Sequence, residues 1–145
     1  MKVCPGFWSW LENNNQTEKV LSIDYIRDEL SKGNDEFTDW AEDNKGFFLS
    51  CDDIDTQTRY AEVAAYASTL NMNAGALDEF LGIADSWLIA KALTLEDAVI
   101  VTHEKKDPNI KRKILIPNVC EHFGQKYINT FELLESCEAK FILAA

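Results

Sequence analysis

Two carboxylates in the second half of the chain are spaced as the walls of one site. Asp85 stands at the head of an apolar helical stretch, Ala84-Asp85-Ser86-Trp87-Leu88-Ile89-Ala90. Glu104 stands just past a β-rich run, Ala98-Val99-Ile100-Val101-Thr102-His103. In open parallel sheets, ligands bind outside the C-terminal ends of the strands. A helix that runs directly into such a strand has its own start at that same edge, so Asp85 and Glu104 are expected to face one another there. Glu29 lies on a predicted helix after an earlier strand, again near a C-terminal edge, whereas Asp28 beside it points about 100° away. Three carboxylates at one edge would suit Mg²⁺ or Mn²⁺: hard oxygen ligands, with waters retained to meet a phosphate.

Each acid also has a plain structural reading, and the spacing leaves both open. Asp85 fits a helix N-cap, worth about 1 kcal/mol. Glu29, between Arg27 and Lys32, fits a solvated helix face. Glu104, followed by Lys105 and Lys106, fits an ordinary loop acid. The basic segment Lys105, Lys106, Lys111, Arg112 and Lys113 is either a phosphate contact or a solvated charged arm. Cys120 and His122 make half a zinc site at best. His103, at a strand end, reads as a structural or loop residue. No nucleophile–base constellation and no Gly-rich phosphate cradle is present.

Around these residues stand 145 residues carrying a net charge of −11. The composition, 46% apolar and 27% charged, is that of a folded globular domain, not a disordered one. An acidic chain lacks the basic footprint of most nucleic-acid binders. Carboxylates that hold divalent cations reverse that sign locally, so nucleic acid stays among the candidate substrates. No apolar run approaches the roughly 20 residues that span a bilayer, and Met1-Lys2-Val3-Cys4-Pro5 lacks the apolar centre of a signal peptide. A cytoplasmic protein with reduced, scattered cysteines is expected, and no membrane contact.

The positioning elements follow from periodicity and punctuation. Strands are predicted at 20–23, 47–50, from Ala98, at 114–116 and at 126–129. Helices are predicted at 5–12, from Asp24 to about Lys32 with Gly33 at C′, and from Asp35 to about Asp43 after Asn34. More follow through 59–67, at 77–83, from Asp85, from Pro117 to Phe123 with Gly124 closing, and from Phe131 to Cys137. Strands separated by crossover helices give an α/β domain with a mostly parallel sheet, richer in helix than in strand.

The pattern Ala84 to Ala90, followed by the strand ending Val101-Thr102-His103-Glu104, resembles the PIN-domain nucleases. It is most similar to a bacterial PIN-like branch that is itself similar to the toxins of toxin–antitoxin pairs. Asp28-Glu29-Leu30, Ile116-Pro117-Asn118-Val119-Cys120 and Tyr127-Ile128-Asn129-Thr130-Phe131-Glu132 fit that branch as well. The resemblance covers nearly the whole chain. It implies a single PIN-like domain over 1–145, a three-layer α/β/α sandwich with a short central sheet, and Mg²⁺- or Mn²⁺-dependent endoribonuclease activity. By that likeness Asp85, Glu29 and Glu104 are the metal-holding catalytic acids, with Glu104 in place of the more usual Asp. RNA is then the substrate and an antitoxin protein a candidate partner.

PIN domains begin with a central strand ending in an aspartate, and residues from Met1 resemble the region after it. By the resemblance this chain is short of one acid and of low or no activity. The gap is expected to be met by direct closure of the neighbouring strands, by a homodimer that fills it, or by marginal stability. Two rival readings remain: a non-catalytic interaction module with an apolar surface that includes Trp8 and Trp10, and a receiver-like or phosphatase-like phosphate binder.

Overall fold

Short strands that each find a single parallel neighbour, joined by helices, make up the chain. The structure, a computed structural model, describes residues 21–33, 35–96 and 98–129. The helices expected at 5–12 and 131–137, with Trp8, Trp10 and Asn34, lie outside the described residues. The chain divides into two compact units, one reaching Ser50 and the other starting at Cys51. As expected, it is α/β, rich in helix, with parallel strands. The described strands pair in two two-stranded sheets.

In the first unit β1 (Ser22–Ile23) pairs with β2 (Phe48–Leu49). The crossover carries α1 (Asp24–Ser31), α2 (Asp35–Asp43) and a 3₁₀ turn, Lys45–Phe47. Gly33, at φ +75°, takes the left-handed conformation that lets α1 stop and the chain reverse. Asp24 is the first helical residue and not the cap: Ile23 holds that position, and the Asp24 carboxylate accepts from the N–H of Tyr25. Phe37 and Ala41 bury one face of α2. Trp40, Phe47 and Phe48 close an edge-to-face aromatic cluster on Phe37, with centroids 5.0–6.2 Å apart.

The second unit holds α3 (Ile54–Ser68), α4 (Ala76–Gly82), α5 (Ala84–Thr94), β3 (Ile100–Val101), α6 (Ile116–Phe123) and β4 (Tyr127–Ile128). β3 and β4 run parallel, with Ile100 opposite Tyr127. The core gathers Val63 and Ala67 of α3, Phe80 of α4, Ile89 of α5, Ile100 of β3 and Val119 of α6. Helix α5 buries Ala84, Ser86, Ala90 and Ala92, small side chains that let α3 lie close along it. Tyr60 of α3 stacks on Trp87 of α5 at 3.9 Å, and its hydroxyl donates to the Leu81 carbonyl. Residues 114–116, expected as a strand, instead run into α6. Ile114 and Leu115 are buried without a ladder, Leu115 is the N-cap, and Pro117 within the first helical turn cannot donate to a sheet. β3 is shorter than the sequence suggests because the Gln125 amide, not a backbone donor, takes the Ala98 carbonyl.

Asp53 ties this packing together. It caps α3, accepting from the Thr56 N–H at 3.0 Å and from the Thr56 hydroxyl at 2.8 Å. It also accepts from Lys91 of α5 at 2.9 Å. The hydrogen bond from Lys91, then those from Thr56, hold its carboxyl far below the ordinary carboxylate range. A depressed folded pKa gives stability that is whole above the unfolded pKa and is lost as pH falls. Asp53→Asn keeps a good cap and removes the charge. Its melting temperature is expected to lie below that of the wild type at pH 6, with the gap shrinking below about pH 4. Thermal melts across pH check this; a gap independent of pH contradicts it.

Candidate functional site

Helix α5 precedes β3 in the chain and packs against it. Asp85 lies in the first turn of α5, and Glu104 follows three residues after the end of β3.

Asp85 is the second helical residue, and the N-cap position belongs to Ile83, which has an extended backbone and no side-chain cap. The N-cap reading of Asp85 is thus corrected. The buried Ser86 hydroxyl bonds back to the Ile83 carbonyl at 3.1 Å. The Asp85 carboxylate is half-buried in the first turn, where the helix N-terminus favours negative charge.

Glu104 is held from three sides. The buried Thr102 donates its N–H to the Ile128 carbonyl, and its hydroxyl accepts from the Glu104 N–H at 3.1 Å, turning the chain out of β3. One Glu104 oxygen, Oε1, accepts from the N–H of Ile116 at 3.2 Å, the first helical residue of α6. The other, Oε2, lies 3.3 Å from the Lys113 ammonium and is buried without a hydrogen bond. With its side chain only 19% exposed, Glu104 is not an ordinary loop acid. Oε2 is thus met by the Lys113 charge without a hydrogen bond, and a carboxylate oxygen is the kind of hard ligand that a small divalent cation takes. Glu29 is exposed on α1 in the first unit. Among the described residues, no three His, Cys, Asp or Glu side chains are gathered as a metal-binding group.

The basic segment divides by partner. Lys113 faces Glu104, and Lys106 pairs with Glu121 at 2.6 Å. The hydrogen bond between them raises the Lys106 pKa and lowers that of Glu121, so both stay charged. Lys105, Lys111 and Arg112 are exposed and have no carboxylate partner among the described residues. The zinc half-site does not form. Cys120 lies in the core, where burial pushes its thiol up to about 12, while His122 is exposed and stacked on Tyr66. The sequence gave no sign of Lys113 and Ile116 as partners of Glu104; only Pro117, marking a helix start, hinted at backbone donors nearby.

Among the described residues no helix is long and apolar enough to cross a membrane. A family model described as a domain of unknown function (DUF4411) matches residues 1–141. No curated protein and no solved structure matches the chain.

Glu104→Ala leaves the Ile116 N–H unpaired and is expected to cost about 1–3 kcal/mol, or several degrees of melting temperature. Glu104→Gln keeps an acceptor for Ile116 and should melt much closer to wild type. Equal melting of the two variants contradicts the capping role.

Proposed function

We propose that this chain, which belongs to the DUF4411 family, is a PIN-like metal-dependent endoribonuclease. In this reading it is the toxin of a toxin–antitoxin pair, acting in the cytoplasm with an antitoxin protein as partner. The observation that supports the proposal is the half-buried Glu104 just past β3, with Asp85 in the first turn of the helix packed against that strand. The PIN-like resemblance adds Glu29 and the three-layer arrangement. The buried free thiol of Cys120 fits a reducing compartment.

Asp85 and Glu104 would hold Mg²⁺ or Mn²⁺, which when bound lowers the pKa of a water and steadies charge on phosphate oxygens. The chain's own residues then have defined tasks. The first turn of α5 carries Asp85, where the helix N-terminus favours negative charge. The Ile116 N–H fixes the rotamer of Glu104, leaving Oε2 as the oxygen that faces a ligand. Lys113 supplies positive charge to Oε2 and limits repulsion among the acids. Lys105, Lys106, Lys111, Arg112 and Lys113 put cations on the loop that leaves Glu104, where an RNA backbone would pass.

A second reading, the interaction module, draws on the edge of β3 that has no strand beside it among the described residues. The N–H groups of Ile100 and Thr102 point to β4, so the opposite edge presents the main chain of Val99 and Val101. Both valines are exposed, at 43% and 36%. Such an edge pairs readily with another strand, from an antitoxin-like partner or from a second copy in a homodimer.

Cation binding is a more direct readout of the site than turnover. Calorimetric titration with Mn²⁺ is expected to show binding by the wild type and at least a tenfold weakening in Asp85→Asn, in line with the loss of one metal ligand. Equal Mn²⁺ affinity in the two proteins, or none in the wild type, removes the nuclease reading and leaves the module.

A further inference from the structure

A second concave site is lined in part by the basic loop and does not include Glu104. Its cavity is about 420 Å³, within the range of about 300–1,000 Å³ of small-molecule sites. Tyr66, at the end of α3, and Met72 just beyond it form one wall; His122 of α6 forms another, and the loop from Lys106 to Lys111 closes it.

The site is built before any ligand arrives. Asn118 of α6 clamps the loop with both ends of its amide, accepting from the Asp107 N–H at 3.1 Å and donating to the Asp107 carbonyl at 2.9 Å. On the other side the Asn73 N–H donates to the Lys111 carbonyl at 2.8 Å. Asp107 also turns the loop on itself, accepting from Asn109 and Ile110. A loop pinned at both ends presents its side chains with little ordering cost on binding.

The groups left over have a common chemistry. Glu121, the acid in the wall, is already neutralised by Lys106, and the Tyr127 hydroxyl donates to its second oxygen. Lys111 has no carboxylate partner among the described residues, an uncompensated cation in a chain of net charge −11. His122 is exposed, with its ring parallel to Tyr66 at 3.6 Å and 11°. Phe123 abuts both rings edge-on. A flat ring held by a stacked partner is a platform for a base, and a free ammonium beside it suits a phosphate.

We propose that this groove is a nucleotide subsite for single-stranded RNA, in which a base stacks on the Tyr66–His122 pair and its phosphate meets Lys111. The proposal rests on the nuclease reading for its choice of RNA. It adds a grip on the strand made by residues other than Glu104.

The experiment is fluorescence anisotropy of a short, labelled single-stranded RNA in EDTA, so that neither cations nor cleavage contribute. His122→Ala is expected to weaken binding roughly tenfold, the scale of one lost base stack. His122→Phe keeps a flat ring and should restore most of the affinity, which a merely structural role for the imidazole would not require. Lys111→Ala should lower the salt dependence by about 0.7, the slope for one phosphate contact on a single strand. Lys126→Ala, outside the groove, serves as the control. Wild-type affinity in both His122→Ala and Lys111→Ala overturns the subsite while leaving the nuclease reading intact. No RNA binding by the wild type, together with no Mn²⁺ binding, overturns both.

Discussion

The close packing of α3 along α5 is the constraint on which the second unit depends. It is possible because α5 buries mostly small side chains toward its neighbours, with Ile89 as the large apolar anchor. At one end the packing is closed by Tyr60 on Trp87, and toward the other by Asp53 and Lys91. Lys91 is only 14% exposed at its side chain, so its charge is tolerable there because a carboxylate meets it. With α5 fixed this way, Asp85 has a defined position at the head of the helix, and β3 is laid down against the helix that precedes it.

The same economy governs the loop beyond β3. Glu104 ends the strand's influence and begins that of α6, because its carboxylate takes the first N–H of that helix. One side chain thereby couples the sheet edge, the helix start and Lys113. Its other oxygen is buried beside the Lys113 ammonium without a hydrogen bond. The basic loop that follows is then divided between cations that balance acids and cations that do not. That division reconciles an acidic chain with a phosphate-bearing ligand: the positive charge is local, and it is concentrated on one clamped loop.

Much of the fold could be read in the sequence because the signals were local. Gly33 and Gly124 take the positive φ expected of helix-ending glycines, and the spacing of Phe37 and Ala41 marks the buried face of α2. The carboxylates Asp85 and Glu104 stood out because a helix start and a strand end follow from periodicity. What escaped was long-range. Asp53 followed by Thr56 is a capping pattern, yet nothing along the chain pairs Asp53 with Lys91, since that contact joins two helices. Residues 114–116 have the composition of a strand, but strand character needs a neighbour to pair with, and the buried run is used to start α6 instead. Tyr66 and His122 likewise meet only because α3 and α6 enclose the same core.

The central claim is that Asp85 and Glu104 bind one cation together, and a double-mutant cycle on Mn²⁺ affinity tests it most directly. Asp85→Asn, Glu104→Gln and the double variant would be titrated calorimetrically, with melting curves to confirm that each is folded. Two ligands of one ion are coupled, so the double variant should lose much less than the sum of the two single losses. Additive losses, or a Glu104→Gln variant that binds Mn²⁺ as the wild type does, would contradict a shared site.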